Sequence, residues 1–383
     1  MKGYIRQKGK NRYEIIYDEG KDLDRKRRQR SVTVHGTKRD AERRLREILH
    51  SLEVSTYIKP HNMTVGDVLT MWLENDAMVN TSRRSYQVYR SRTRQHLIPG
   101  LGNIPVLQLT PQRVQTYLTN ELMHGRKKTK GGLSAQSVAF GRGLLSKAIN
   151  YAMKMGLVPR NVVKLVDPPR VERPTIKVLD VEDARRLLKE AAKTAYGVIV
   201  YTLLYTGLRL GEVLGLRWRN VDLLMAELQV EQTVYQLNDG TIEIKEPKTP
   251  HSRRRVSLSP DLALQLRDHR LEQETWYKKC GRPLTKDDFV FAQPGGRPIG
   301  PNSMTGAFKR IAARAGLPDM RLHDLRHTHA TLMLKAGIHP KVVSERLGRA
   351  SVNITLDIYS HVLPGLQERA AEQFDAVMNV NVG

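Results

Sequence analysis

The feature that most constrains the fold of this chain is a proline-rich stretch near its middle, Val166–Pro174, with three prolines in nine residues. Proline lacks a backbone N–H and disfavours helix in the residue before it, so this stretch favours an extended connector. A second break, Tyr57–Pro60, follows a helical pattern. The two breaks divide the 383 residues into 1–58, 59–173 and 174–383, and we expect each segment to be a domain.

Net charge distinguishes the three segments. The chain has 64 Lys and Arg against 39 Asp and Glu, a formal charge of +25 that is far beyond what solubility requires. The first segment holds 16 basic and 9 acidic side chains, the second 18 and 6, and the third 30 and 24. This excess predicts a nucleic-acid partner. We expect the first two segments to bind the nucleic acid. The third segment, whose charge is nearly balanced, is expected to contain the catalytic site.

Cysteine content and hydropathy exclude several other classes. The only cysteine, Cys280, cannot form an internal disulfide or a thiolate zinc site, and it fits a reducing cytoplasm. The longest apolar stretch, Tyr196–Leu208, is shorter than the roughly 20 residues that a membrane helix needs. Residues 1–6 lead into polar sequence without the apolar region of a signal peptide. We therefore expect a soluble intracellular protein.

The first segment has the pattern of a small sheet followed by one helix. Three β-type runs, Tyr4–Ile5, Tyr13–Tyr17 and Arg30–Val34, are separated by turn residues. Thr37, with Asp40 three residues later, predicts a capped helix after them. Basic side chains around the third strand suit a sheet laid in a DNA groove, although a solvated hairpin explains them too. These candidates are Arg27, Arg28 and Arg30.

The second segment is predicted to be all-helical. Thr64, Thr110 and Ser134 are candidate helix starts, and one helix is predicted to end near Pro99–Gly100. This segment has basic helix edges and a basic loop. We therefore favour a helical domain that clamps duplex DNA over an ordinary helical bundle. The candidate DNA-binding residues are Arg83, Arg84, Arg90, Lys127 and Lys128.

Three short clusters of chemically active residues stand out in the third segment. In Tyr205–Val213 an apolar helix stops at Gly207, so Arg209 emerges at a turn with Glu212 three residues later. An arginine at such a corner can present its planar fork to a phosphate, and the glutamate can hold it. The second cluster is His323–His329, where His323 and Arg326 share a helix face, and the third is Leu347–His361 with Tyr359.

These clusters, in this order, resemble the catalytic domain of the tyrosine recombinases, or phage integrase family. The resemblance covers roughly residues 175–375 and rests on Thr-Gly-Leu-Arg-x-x-Glu, His-x-x-Arg-His and Leu-Gly-x-x-Ser-x-x-x-Thr-x-x-x-Tyr. It implies a mainly α catalytic domain (174–383) with a small β-sheet, an all-α core-binding domain (59–173) and an α+β arm-binding domain (1–58) of three strands and a helix. It also implies a site-specific recombinase that integrates or excises a mobile element.

The resemblance assigns roles residue by residue. Tyr359 is the expected nucleophile, forming a 3′-phosphotyrosyl bond, while Arg209 and Arg326 hold the phosphate. His323 contacts the phosphate and assists proton transfer, and Glu212 supports Arg209. The family's acid is a lysine in a β-hairpin, which Glu246–Val256 resembles. Lys248 matches it best, with Lys245 as the alternative.

One position departs from the family pattern. Arg349 follows Leu-Gly where the family usually has His, sometimes Trp. Arginine can donate to a phosphate oxygen but cannot act as a base near neutral pH. Contact with the scissile phosphate and contact with the DNA backbone therefore both stay open for Arg349.

The expected partners follow from the same resemblance. They are double-stranded DNA with core and arm sites, three further copies of the chain in a tetramer joined by exchange of the C-terminal tail (Gly365–Val377), and excision or bending factors. No cofactor is expected, and the sequence contains no phosphate-binding Gly-rich loop with Lys-Ser/Thr. No metal is expected either, because no Glu follows His323 as a hydrolytic zinc motif would require. We expect a nucleoid-associated protein of the bacterial cytoplasm. The alternatives are a Xer-like resolvase, a type IB topoisomerase-like strand transferase and a non-catalytic DNA-binding regulator.

Overall fold

The computed structural model describes residues 3–21, 27–53, 62–127, 129–172, 177–246 and 253–348, and a few single residues after them. The chain divides into two compact units, Met1–Arg173 and Pro174–Gly383. No helix in the described ranges is long and apolar enough to cross a membrane.

The first unit begins with the expected small sheet and helix. Three antiparallel strands lie in the order β1-β2-β3, and a capped helix, α1, follows them. The cap is the predicted one, because the Thr37 hydroxyl donates to Asp40 Oδ2 at 2.7 Å and accepts from the Asp40 amide at 3.3 Å. Ile15 and Tyr17 of the sheet are fully buried with Ala41 and Ile48 of the helix. The elements are β1 (Gly3–Gly9), β2 (Arg12–Lys21), β3 (Arg27–His35) and α1 (Lys38–Glu53).

The rest of the first unit is helical, with its own apolar core. Thr64 and Ser134 are the helix caps that the sequence predicts, and Pro111 begins a helix. The helix predicted to end near Pro99–Gly100 ends at Leu101. The elements are α2 (Val65–Trp72), α3 (Met78–Asn80), α4 (Arg83–Arg92), α5 (Ile98–Leu101), α6 (Pro111–His124) and α7 (Ala135–Lys154).

Two helices of this bundle contain π-helical turns that the sequence pattern does not reveal. Leu73–Ala77 joins α2 to α3, and Thr93–Leu97 joins α4 to α5. Each adds a residue to the turn and shifts the face that packs inward. In the second, His96 is buried and its Nδ1 lies 2.7 Å from Glu121 Oε2. The turn thereby brings a polar pair into the core of the bundle.

The start of the predicted connector belongs to this helical core. Val163 and Val166 are buried among the bundle's apolar residues. Arg142 of α7 holds the same stretch, because its guanidinium donates to the Val166 carbonyl at 2.5 Å and to the Val163 carbonyl at 3.1 Å. The packed part of the first unit therefore extends into the proline-rich stretch.

The second unit is mainly helical around one large core. The buried helix α9 contacts α8, α11 and α13. The buried Trp218 is bound to α11 by a 2.6 Å hydrogen bond from its indole N–H to Gln273 Oε1. The helices are α8 (Val181–Ala192), α9 (Gly197–Thr206), α10 (Leu210–Leu214), α11 (Pro260–Lys279), α12 (Pro301–Arg314), α13 (Leu322–Lys335) and α14 (Pro340–Leu347).

The strands of this unit form two small antiparallel sheets instead of the single sheet expected. One has the order β4-β5-β8, and the other pairs β6 with β7. Of the predicted hairpin Glu246–Val256, residues 247–252 lie outside the described part of the chain. The strand before them, β7, pairs with β6, and the strand after them, β8, pairs with β5. The strands are β4 (Val221–Asp222), β5 (Glu227–Val230), β6 (Thr233–Gln236), β7 (Ile242–Lys245) and β8 (Arg254–Ser257).

Candidate active site

Arg209 stands at a sharp corner between two helices of the second unit. The apolar helix α9 ends at Gly207, whose φ of +66° is the left-handed conformation that glycine adopts without strain. Arg209 follows in extended conformation, and α10 starts at the next residue. The sequence pattern of an apolar helix stopped by Thr-Gly thus sets the position of this arginine.

The Glu212 carboxylate holds Arg209 from below. Glu212 Oε2 accepts the Arg209 backbone N–H and Oε1 accepts Arg209 Nη1, both at 2.9 Å. The glutamate side chain is 3% exposed and the arginine side chain 44%, so the arginine fork reaches the surface while its anchor stays inside. The pair anticipated from the sequence is therefore present.

A second arginine, Arg254 of β8, also binds Glu212. Its Nη2 donates to Oε2 at 2.9 Å, and its side chain is 7% exposed. Burial raises the pKa of Glu212, but the hydrogen bond and charge of Arg254 and the amide and charge of Arg209 lower it more strongly. The pKa therefore lies below its ordinary value, and the carboxylate is ionised at neutral pH.

Arg326 connects the other two sequence clusters to the Arg209 corner. Its side chain is buried on α13, where Nη1 donates to the Gly207 carbonyl at 2.7 Å and Nη2 to the Leu347 carbonyl at 2.6 Å. Gly207 is two residues before Arg209, and Leu347 is two residues before Arg349. One guanidinium thus fixes the ends of α9 and α14 side by side.

The histidines of the second cluster occupy different environments. His323 is exposed in the first turn of α13, and its ring packs edge-on against His327 with centroids 5.0 Å apart. His329 is buried, with Nδ1 2.9 Å from the Leu204 carbonyl, and its Nε2 accepts Arg346 Nε at 3.2 Å. His323 is thus accessible to a substrate, whereas His329 joins α9, α13 and α14 structurally.

Several candidate residues lie outside the described part of the chain. These are Lys248, Arg349, Tyr359, Lys128, the side chains of Arg27 and Arg28, and nearly all of the predicted tail helix. The alternative acid, Lys245, ends β7 and pairs with Glu243 at 2.8 Å. The remaining candidate DNA-binding residues are all exposed, on β3, on α4 and in the loop after α6. They are Arg30, Arg83, Arg84, Arg90 and Lys127.

Among the described residues, no three His, Cys, Asp or Glu side chains are grouped so that they could hold a metal ion. What the site offers instead is a set of guanidinium groups fixed by a buried carboxylate and by backbone carbonyls. Planar guanidinium forks match the oxygens of a phosphate and carry their charge at any physiological pH. Arg209, the exposed member of this set, can therefore bind the oxygens of a phosphodiester.

Sequence reasoning missed two arginines of this site, Arg254 and Arg346. A signal for Arg254 exists, because side chains alternate along a strand and the inward positions of β8 continue to Val256 and Leu258, both buried. Arg346 donates to the Tyr205 carbonyl at 3.1 Å as well as to His329. These contacts of Arg346 depend on how the helices pack, and the local sequence contains no signal for that packing.

Replacing Gly207 with alanine is expected to destabilise the fold by about 3 kcal/mol. A Cβ there would lie 2.6 Å from His329 Cδ2 and 2.7 Å from Leu347 Cδ2, and the residue would keep a positive φ. Gly240→Ala is the matched control, because φ is +87° there and nothing lies within 4 Å of the added Cβ. Urea unfolding should show only about 1 kcal/mol for the control. Equal losses would contradict the crowded turn.

Stability is expected to fall with acidification because of His329. Burial, and then the charge of Arg346, lower its pKa from 6.5 to about 3. Between these values the unfolded ring binds a proton and the folded ring does not, so unfolding becomes easier as pH falls, by up to about 1.4 kcal/mol per pH unit. Urea unfolding from pH 6.5 to 4 should show a shallower pH dependence for His329→Phe. An unchanged slope would refute this assignment.

Comparison with known proteins identifies the chain's relatives. Residues 177–365 match the phage integrase family, and residues 64–123 match the N-terminal SAM-like domain of phage integrases. A XerC-like tyrosine recombinase of Caldanaerobacter subterraneus subsp. tengcongensis is 27% identical over 95% of this chain and 96% of its own. The ICEBs1 integrase of Bacillus subtilis is 29% identical over 69% of this chain and 72% of its own.

A solved structure shows the same fold. The Tn1549 transposon integrase, determined in complex with a circular intermediate DNA, superposes with a TM-score of 0.67 at 18% identity, covering 82% of this chain and 99% of that one. The two family matches together span more than half of the chain and include Arg209, His323 and Arg326. The chain belongs to the phage integrase family, and it is a tyrosine recombinase, an enzyme of site-specific DNA recombination.

Proposed function

We propose that this recombinase cuts and rejoins DNA through a covalent 3′-phosphotyrosyl bond at Tyr359 and thereby integrates or excises a mobile element. The observation that carries the proposal is the double hydrogen bond of Arg326 to the Gly207 and Leu347 carbonyls. It brings the arginine and histidine clusters together with the helix that precedes the tyrosine cluster. The arginine, histidine and tyrosine clusters, which are far apart in the sequence, would then contact the same phosphate.

The proposed cleavage step conserves a phosphodiester. The phenolic oxygen of Tyr359 attacks the scissile phosphorus, the bond from phosphorus to the 5′-oxygen breaks, and the 5′-oxygen takes a proton from Lys248. Arg209 and Arg326 hold the non-bridging oxygens. Exposed His323 hydrogen-bonds the phosphate and assists transfer of the phenolic proton from Tyr359 to solvent. Guanidinium forks supply the charge that metal ions supply in other phosphoryl-transfer enzymes, so the step uses no cofactor.

A phenol needs activation to act in this way. Its ordinary pKa is near 10, so the anion is scarce at neutral pH unless surrounding cations favour it. The same guanidinium groups that bind the phosphate favour this anion. Because the tyrosyl ester retains the energy of the original bond, attack by a new 5′-hydroxyl rejoins the strand without ATP. Arg349, two residues beyond the Leu347 carbonyl, is proposed to add a donor to the phosphate or to the neighbouring DNA backbone.

Each domain is proposed to bind a different part of the DNA. Residues 59–173 bind the core site and residues 174–383 cut it, with the exposed Arg83, Arg84, Arg90 and Lys127 and the loop residue Lys128 contributing charge. The N-terminal sheet binds separate arm sites through Arg27, Arg28 and Arg30. Support for a separate arm module comes from its core, because among the described residues Ile15 and Tyr17 belong to an apolar cluster formed by their own sheet and helix.

Deletion of residues 1–58 tests this division. Because the N-terminal module and the helical bundle have separate apolar cores, the truncated chain is expected to fold and to cleave a core site at close to the full-length rate. Integration between a donor with arm sites and a target should fall at least about tenfold. Both activities are measured with the same protein preparations. Equal loss of both would contradict the arm-binding role.

The active assembly is proposed to be a tetramer on two DNA duplexes, with the C-terminal tail of each copy packed on a neighbour. Excision or bending proteins are proposed to set the direction of the reaction, which takes place on the nucleoid in the bacterial cytoplasm. Support for the tetramer comes from the family resemblance and from the number of strands, because two duplexes have four strands to cut and rejoin and each copy supplies one nucleophile.

Covalent trapping on a nicked substrate tests the proposed function. A nick near the scissile phosphate lets the released fragment diffuse away, so the protein should stay attached to the 3′ end of its own site. Unrelated supercoiled plasmid should be neither trapped nor relaxed. General relaxation of such a plasmid would favour a topoisomerase, and specific binding without attachment would favour a regulator. Sequencing of junctions formed in cells supplies the site for the assay.

A further inference from the structure

Arg254 is a buried arginine without an assigned role in the reaction. On β8 it faces inward with Val256 and Leu258, whereas its neighbour Arg255 is exposed. Its side chain is 7% exposed. Burying a guanidinium is costly unless its donors are matched by good acceptors. A buried arginine so close to the Arg209 corner therefore needs an explanation.

The contacts of Arg254 converge on the carboxylate that holds Arg209. Glu212 Oε2 accepts Arg254 Nη2 at 2.9 Å together with the Arg209 backbone N–H, and Oε1 accepts Arg209 Nη1. Arg254 Nη1 lies 3.4 Å from the same Oε1. The two-pronged contact leaves the carboxylate little freedom to rotate, because a turn that served one arginine would break the contact with the other.

Arg254 also contacts the end of α14. Its Nε donates to the Arg346 carbonyl at 2.7 Å. It packs so tightly under Gly348 that a Cβ there would lie 2.7 Å from Arg254 Nη1, and Gly348 keeps a left-handed φ of +63°. The guanidinium is thus held on two sides, by the Arg346 carbonyl and by the carboxylate of Glu212, and forms a fixed support.

We infer that Arg254 is a positioning residue for strand cleavage, which orients the Arg209 fork through Glu212 without touching the phosphate. The inference rests on the proposed role of Arg209. The Arg209 side chain is 44% exposed, long and flexible, so the orientation of its guanidinium depends on the Glu212 carboxylate that binds it. A misplacement of about 1 Å at a catalytic group costs up to about 100-fold in rate.

The first experiment replaces Arg254 with methionine, which has a similar length and no donors. Single-turnover cleavage of a nicked substrate, at enzyme concentrations that saturate the DNA, should slow by about 10- to 100-fold, while the dissociation constant for the DNA stays within about twofold. Arg255→Met, on the exposed side of the same strand, should cleave at the wild-type rate. A wild-type rate for Arg254→Met would overturn the inference.

A double-mutant cycle separates positioning from a general loss of structure. If Arg254 acts through Arg209, the variant lacking both (Arg209→Ala with Arg254→Met) should cleave within about threefold of Arg209→Ala alone. Losses that multiply would show that Arg254 acts by another route and would overturn the inference. If Arg209→Ala itself cleaves normally, the proposed function fails at that residue. If only Arg254→Met cleaves normally, the inference alone fails.

Removal of Arg254 leaves Glu212 with one partner, so unfolding is measured for every variant. Should Arg254→Met fail to fold, Arg254→Lys decides, because lysine keeps the charge but cannot reproduce the two-pronged contact. We expect Arg254→Lys to unfold near the wild-type urea midpoint and to cleave at least about fivefold more slowly at saturating enzyme. Cleavage of Arg254→Lys at the wild-type rate would show that charge alone suffices and would overturn the positioning role.

Discussion

Substitution of Tyr359 by phenylalanine is expected to abolish covalent attachment to DNA, lowering strand cleavage by at least about 10⁴-fold. The change removes one oxygen atom, the nucleophile of the proposed reaction, and leaves the aromatic ring in place. Binding to the core site should be unaffected, because the proposed phosphate contacts come from Arg209 and Arg326. A nicked substrate with a labelled 3′ end measures attachment, and a gel-shift assay measures binding.

Another tyrosine of the same domain supplies the control for this experiment. Tyr235 lies on β6, in the small two-stranded sheet, and Tyr235→Phe makes the same chemical change. It should leave attachment at the wild-type level. Covalent complexes formed by Tyr359→Phe, or their loss in Tyr235→Phe, would show that the nucleophile has been misassigned.

Replacement of Arg326 is expected to have the second-largest effect, on both rate and stability. In Arg326→Met the Gly207 and Leu347 carbonyls lose donors at 2.7 and 2.6 Å, which should lower the free energy of unfolding by about 2–4 kcal/mol. In the proposed role of Arg326 the phosphate loses a guanidinium at the same time, so cleavage should slow by about 10²- to 10³-fold even where the variant is fully folded. Urea unfolding and single-turnover cleavage measure the two effects.

An exposed arginine of the same unit separates local from general consequences. Arg314 of α12 lies 3.7 Å from Glu190 at the surface, and Arg314→Met should cost less than about 0.5 kcal/mol and leave cleavage unchanged. Arg326→Lys should recover part of the stability but little of the rate, because lysine lacks the planar fork. A stable and active Arg326→Met would refute both roles given to this residue.

The parts of the fold that the sequence predicted are those determined by local chemistry. The caps at Thr37, Thr64 and Ser134 depend on a side chain reaching an amide three residues away, so the residue types suffice to identify them. The three N-terminal strands follow from β-type runs separated by turns. The turn at Gly207 follows from a glycine that ends an apolar helix. In each case the interacting groups are neighbours in the sequence.

The missed features depend on partners that are distant in the sequence. Pairing of β8 with β5, and of β7 with β6, cannot be inferred from the strands themselves, so a single sheet was expected where two form. Arg254 meets Glu212 across 42 residues and the Arg346 carbonyl across 92. Alternation along the strand marks the middle of three arginines as inward, but its acceptors, Glu212 and the Arg346 carbonyl, come from α10 and α14, which are distant in the sequence.

Identification of the amino acid joined to DNA is the most direct test of Tyr359 as the nucleophile. The protein is trapped on a nicked core site and digested with a protease and a nuclease, and the peptide that carries the remaining nucleotide is sequenced by mass spectrometry. We expect one modified residue, Tyr359, linked through its phenolic oxygen to a 3′-phosphate. A nucleotide on any other residue, or a 5′-phosphate linkage, would contradict it.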